Sequence, residues 1–264
     1  MMRATRKVKR GIGTIREDVN ISIPGGSRIE IKGVQELRLL PVYVEKEVER
    51  QRSLLRIRDV LKERNVARSE TAIQDLTETF IKCPSKVIMG ALKKGGKVLG
   101  APLPGFAGVL RSPDNKLRLG AEMAQYARTK GVAGIFHSDE LPNYGIDQSY
   151  VDEVCRTFNL GTQDSFVLCA DEVNRAEAAL NAALARAYEA LVGVPEETRD
   201  PLPDGTSTYS RPLPTKLDEY DNAGRLRRVC DVMDGDFSSA AWNKSTNIIV
   251  SVTYLGDDKI NVIT

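Results

Sequence analysis

A short stretch near the start of the chain sets oxygen ligands and cations two residues apart. Asp18, Asn20 and Ser22 alternate with Val19, Ile21 and Ile23; after Pro24, Gly25 and Gly26, the polar residues Arg28, Glu30 and Lys32 alternate with Ile29 and Ile31. A period of two broken by a Gly-rich turn predicts a β-hairpin with one apolar and one polar face. On the polar face, Asp18, Asn20 and Glu30 offer a carboxylate, an amide and a second carboxylate, a hard oxygen set suited to magnesium. Arg16 and Lys32 beside them suit phosphate oxygens. The plainer alternative is an exposed hairpin whose cross-strand charges pair with one another. Spacing alone does not choose between the two.

The register follows from parity. A loop over 24–26 sets Ile21 opposite Ile29, Val19 opposite Ile31, Asn20 opposite Glu30 and Asp18 opposite Lys32. A four-residue loop would oppose apolar to charged side chains, so the odd loop is expected.

Other chemistries find little support. His137 is the only histidine, so a Ser-His-Asp triad or a His-rich metal site would rest on it alone. Its setting beside Ser138-Asp139-Glu140-Leu141-Pro142 suggests a structural role. Cys83, Cys155, Cys169 and Cys230 lack zinc-finger spacing and read as reduced, mostly buried thiols. Gly11-Ile12-Gly13 lacks the third glycine of a dinucleotide fingerprint. Around Lys94-Gly95-Gly96-Lys97-Val98, valine stands where a phosphate loop needs Ser or Thr. The net charge of +2 is unevenly spread, with Arg3, Arg6, Lys7, Lys9 and Arg10 in the first ten residues. Such a run is either a solvated tail or a phosphate contact.

The elements that must carry the hairpin are mixed. Pro41 to Asn65 advances its apolar residues by three and four and predicts a long, heavily charged helix. Thr71 to Phe80 and Ser85 to Lys93 predict two shorter helices, and Lys94-Gly95-Gly96 predicts a domain boundary. Beyond it the pattern gives strands at 97–101, 105–110, 132–137 and 164–170, and helices at 121–130, 149–158 and 172–191. Residues 193–214 read as a loop or extended return, and 247–255 as a strand-like run. The class expected is α+β. With 264 residues, 41% hydrophobic and 28% charged, two soluble domains are expected; no apolar run of about 18 residues could span a bilayer, and a cytoplasmic location is expected.

Longer motifs sharpen this reading. Lys7 to Ile23, followed by Arg28 to Leu37, resembles the cradle-domain signature shared by the B and E subunits of tRNA-dependent amidotransferases. The Lys32-Gly33-Val34-Gln35 version is similar to the archaeal E subunits. Leu103 to Gly108 and Phe136 to Ile146 resemble the GAD domain, an α+β insert of those archaeal subunits and of bacterial-type aspartyl-tRNA synthetases. Gly193 to Arg199, Pro203 to Thr206 and Arg211 to Pro214 resemble the return to the cradle. The organisation implied is cradle over 1–94, GAD domain over 95–192, return segment over 193–214 and an unassigned tail over 215–264.

The resemblance implies that a magnesium-ATP-dependent ligase phosphorylates the glutamyl carboxylate of Glu-tRNA(Gln). Ammonia from an asparaginase-like D subunit then displaces phosphate, within a hetero-oligomer. It implies catalytic roles for Asp18, Asn20 and Glu30, with magnesium on Asp18 and Glu30. Nucleotide phosphate falls to Arg10, Arg16 and Lys32, and tRNA contact to Lys7, Lys9 and Arg10. The family's cradle begins upstream with a histidine and acidic residues that help bind metal, and the match fades at Thr215 to Asp221. A truncated subunit, inactive alone, is the expectation. The alternative is a non-catalytic tRNA- or protein-binding fragment built on the GAD domain; an aspartyl-tRNA synthetase piece is disfavoured by the hairpin and long helix.

Overall fold

The computed structural model describes residues 7, 16–69 and 72–213, and beyond these the strand backbones at 219–220, 226–228, 251–254 and 260–263. The chain gathers into two compact units, Met1–Ser22 with Ser27–Lys46 and Glu196–Thr264, and Ile23–Gly26 with Glu47–Pro195.

The first unit is built on a four-stranded sheet of order β1-β2-β7-β8. β1 (Glu17–Ile21) and β2 (Ile29–Val34) form the hairpin, with Val19 opposite Ile31, Asn20 opposite Glu30 and Ile21 opposite Ile29, the register that parity required. β7 (Glu197–Pro201) lies parallel to β2, and β8 (Ser207–Pro212) turns back antiparallel to β7. Half of the segment read as a loop or extended return is thus ladder. Its Pro- and Asp-rich composition hid the strands, because the Pro201 to Thr206 turn and the terminal Pro212 dominate it. The helix α1 (Leu40–Glu63) belongs to this unit up to Lys46 and to the second unit from Glu47.

The second unit carries an antiparallel sheet of order β3-β4-β6-β5, from β3 (Gln74–Asp75), β4 (Lys97–Leu103), β5 (Phe136–His137) and β6 (Ser165–Asp171). Its central strands are buried almost continuously, as a sheet covered on both faces requires. One face packs against α6 (Val173–Glu189), which lies against α4 (Leu119–Arg128); both are rich in alanine and approach closely. The other face is closed by α2 (Thr77–Phe80), α3 (Lys86–Lys93) and α5 (Gln148–Phe158) around Phe80, Ile88, Val98, Val154, Phe166 and Leu168.

This packing revises several expectations. Leu76, Phe80 and Ile88 share one core with Val98 and Phe166, so the compact unit does not begin at residue 95. Gln74 and Asp75 form an edge strand where a helix was expected. The expected strand at 105–110 is a run of turns, because Gly105 and Gly108 both take positive φ. Of 132–137, only Phe136 and His137 pair. Cys83, Cys155 and Cys169 are free thiols, and burial pushes Cys169 up to about 12; Cys230 lies outside the described residues. Among the described residues, no helix is long and apolar enough to cross a membrane. The tail over 215–264 is described only at its strands, including Ser251–Tyr254 within the expected run.

Candidate active site

The sheet of the first unit brings the hairpin residues together with residues from the far end of the described chain. Partners in register share a face, so Asn20, Glu30, Thr198 and Arg211 form one row across all four strands. One step along, Lys32 follows Glu30, Asp200 follows Thr198 on the same face, and Asp200 pairs with Thr208. Lys32 reaches back along its own strand, its Nζ 3.3 Å from Glu30 Oε2. Thr198 is buried, and its hydroxyl has no hydrogen-bond partner among the described residues. A buried hydroxyl without a partner carries a desolvation cost that an incoming oxygen ligand would relieve.

Asp18 departs from simple pairing. Glu17 pairs with Val34 and Val19 with Ile31, so Lys32 and Gly33 together oppose Asp18 in a β-bulge. The Asp18 carboxylate accepts the Gly33 N–H at 2.9 Å, and Arg16 Nε lies 3.4 Å from the same oxygen. Gly33 has φ +80, which a side chain would oppose. The Gly33 N–H, followed by the charges of Arg16 and Lys32, holds the Asp18 carboxyl below the usual carboxylate range despite partial desolvation. Asp18 is therefore a fixed anion. Its opposition to Lys32 alone, expected from parity, is corrected to opposition to Lys32 and Gly33.

The opposite face is apolar, with a charged exception. Ile21, Ile29 and Ile31 are buried there, and the same rows carry Glu197 and Arg199. Arg199 donates from Nη1 to Glu197, from Nε to Ser207 Oγ at 2.8 Å and from Nη2 to the Ser207 carbonyl at 2.9 Å. These bonds satisfy a fully buried guanidinium and lock β7 to β8 behind the polar face.

On the polar face Arg16, Arg28, Lys32 and Arg211 exceed Asp18, Glu30 and Asp200 by one formal charge. That single surplus charge is small against a triphosphate, and a divalent cation would complement it. Asp18 and Glu30 fit the one or two carboxylates that magnesium takes alongside phosphate oxygens and water. They do not make a standing metal centre: among the described residues no group of three Asp, Glu, His or Cys side chains could hold an ion.

The expected residues are placed as follows. Arg16, Asp18, Asn20, Glu30 and Lys32 come together on or beside the hairpin's polar face. Lys7 is exposed, and Lys9 and Arg10 lie outside the described residues. Thr198, Asp200, Thr208 and Arg211 were missed, and only pairing across the sheet could have found them; the extended return was their one signal. His137 belongs to the second unit. It is buried against Gly120, where an added Cβ would collide with the imidazole at Nε2. Burial pushes its pKa down against the pull of Glu140 and Asp139, so it packs as a neutral ring.

Comparison with known proteins gives the family. The family model described as the GatB/GatE catalytic domain matches residues 1–220. The E subunit of the glutamyl-tRNA(Gln) amidotransferase of Pyrococcus horikoshii is 55% identical over 222 residues, which cover 83% of this chain and 35% of that protein. The E subunits of the same name from Methanocaldococcus jannaschii and Methanosarcina acetivorans are 51% and 49% identical, each over 81% of this chain and 34% of their own length. The chain thus spans about a third of the length of the curated relatives it matches.

Proposed function

Because the chain belongs to the GatB/GatE catalytic-domain family, we propose that the polar face of its β1-β2-β7-β8 sheet handles the phosphates in ATP-dependent conversion of Glu-tRNA(Gln) to Gln-tRNA(Gln). One observation carries the reading. Asp18, Asn20, Glu30 and Lys32 share a face with Thr198, Asp200 and Arg211, although some 170 residues separate the two groups.

In this reaction the glutamyl side-chain oxygen attacks the γ-phosphorus of ATP, the bond to the β-phosphate oxygen breaks, and an acyl phosphate and ADP result. Ammonia then adds at the acyl carbon, inorganic phosphate leaves with the bonding pair, and a proton is lost as the amide forms. Lys32, Arg16 and Arg211 face the negative charge of the transferring group, which positioned cations stabilise most where charge is spreading. Asn20 orients an oxygen by hydrogen bonding, and Asp18 is held in place for metal or water by the Gly33 N–H. Asp18 and Glu30 would hold a magnesium ion, which would supply charge neutralisation to the phosphates. Ammonia comes from a glutaminase-like partner subunit, so the working assembly is a hetero-oligomer. Lys7 and the neighbouring cations Lys9 and Arg10 supply tRNA phosphate contacts.

The test is carried out on the protein as its cell expresses it, with Glu-tRNA(Gln), magnesium-ATP and ammonium. Gln-tRNA(Gln) formation should fall at least about a hundredfold in Lys32→Ala and Glu30→Gln, the scale for losing a transition-state contact, while tRNA binding stays unchanged. Unaltered turnover in both variants would refute the reading. Retained tRNA binding without any nucleotide binding would favour a non-catalytic binding module.

A further inference from the structure

The helix α3 turns outward a face that its own unit does not use. Ile88 is buried and Leu92 packs against the same core, which fixes the inner side of the helix. Gly90 lies on the other side, and a Cβ added there meets nothing within 4 Å. No internal close approach calls for this glycine, yet a mid-helix glycine costs about 1 kcal/mol relative to alanine.

Lys86, Lys93 and Lys94 stand four residues before, three after and four after Gly90, so they surround it on one surface, and all three are exposed. Val87 and Met89 flank them at 53% and 36% exposure. The helix contains no acidic residue, and none of the three lysines forms an ion pair among the described residues. Lys86 also sits in the first turn, where the helix dipole disfavours a cation. Helix stability therefore explains neither Gly90 nor Lys86.

We propose that this face of α3 binds the sugar–phosphate backbone of RNA, and, resting on the function proposed above, that the RNA is the tRNA being amidated. The absent side chain at Gly90 lets the ribose–phosphate chain approach the helix, the three ammonium groups meet successive phosphates, and Val87 and Met89 cover ribose carbons. A protein partner fits less well, because lysine is depleted at protein interfaces. A compact ammonium is a good phosphate binder.

The experiment measures binding of a fluorescent tRNA(Gln) transcript to the whole chain over about 50 to 200 mM salt. In the triple variant Lys86→Gln, Lys93→Gln, Lys94→Gln, affinity should fall at least tenfold and the log–log salt slope should lose about two to three units, near one per phosphate contact. Gly90→Leu should melt no lower than the parent, since leucine is a strong helix former, yet bind several-fold more weakly. If the parent chain binds and both variants bind equally well, the face is not an RNA surface, while the phosphate-handling reading of the first unit stands. If the parent chain binds no RNA even at the lowest salt, the inference fails, and the amidation assay still decides the proposed function. Variants that keep RNA affinity but lose a copurifying subunit would mark the face as a protein interface and overturn the inference.

Discussion

The Asp18 carboxylate takes the Gly33 N–H across the hairpin at 2.9 Å and so fixes the bulge that ends regular pairing between β1 and β2. The same bond holds an anion beside Arg16 and Lys32, so one contact sets both backbone shape and charge placement. Because the folded-state pKa lies below the unfolded one, its stabilisation is complete above the ordinary carboxylate range and is lost as pH falls through the folded value. In urea unfolding, Asp18→Ala should therefore lose less stability than the parent between neutral and acid pH. Gly33→Val should cost at least about 1 to 2 kcal/mol, because a side chain opposes positive φ. Identical acid limbs in Asp18→Ala and the parent would show that the carboxylate does not hold the bulge.

Behind the polar face, Glu197 and Arg199 are both fully buried. Removing one charge leaves the other in a low-dielectric setting, so Glu197→Gln should destabilise by about 3 to 5 kcal/mol, whereas the joint change Glu197→Leu with Arg199→Met should cost much less. Chemical denaturation of the three proteins measures this. Equal losses in the single and double variants would mean the pair is not coupled.

How much of this was legible follows from where each residue lies along the chain. The hairpin register could be read because alternation in both arms and a short loop leave one parity that buries Ile21, Ile29 and Ile31. The bulge could not, since it depends on a side chain capturing a backbone N–H, and alternation carries no trace of that. Thr198 and Arg211 reach the site only through the parallel pairing of β7 with β2, a long-range contact that local patterns do not encode. The strand expected at 105–110 failed for a local reason: Phe106, Val109 and Leu110 are apolar because they are buried, while the glycines between them turn the chain.

In the second unit, Glu122 Oε2 receives Arg50 Nη1 at 2.5 Å and Arg186 Nη2 at 3.3 Å, joining α4 to α1 and α6. Arg186 is completely buried, and its guanidinium also lies 5.7 Å from the Tyr126 ring centre. Glu122→Gln should cost about 3 to 5 kcal/mol in this unit, because a buried guanidinium would lose its anionic acceptor. A thermal melt within about a degree of the parent would contradict the role given to Glu122.

His137 gives a pH dependence of opposite origin to that of Asp18. Its folded-state pKa is depressed by burial, so the unfolded chain binds the extra proton first as pH drops below the ordinary histidine value of 6.5. Stability should decline from that point toward acid pH, by at most about 1.4 kcal/mol per pH unit for this one group. The part due to His137 should vanish from the slope in His137→Gln. An unchanged slope near pH 6 would remove the buried neutral imidazole from the description.

The claim on which the function rests is that nucleotide phosphates meet the polar face of the β1-β2-β7-β8 sheet. Titrating isotope-labelled chain with magnesium and a non-hydrolysable ATP analogue, and following backbone amide resonances, tests it directly. The largest shifts are expected at Arg16, Gly33, Lys32, Thr198 and Arg211, and they should weaken together in Lys32→Ala. Shifts confined to the second unit, or none at saturating analogue, would contradict it.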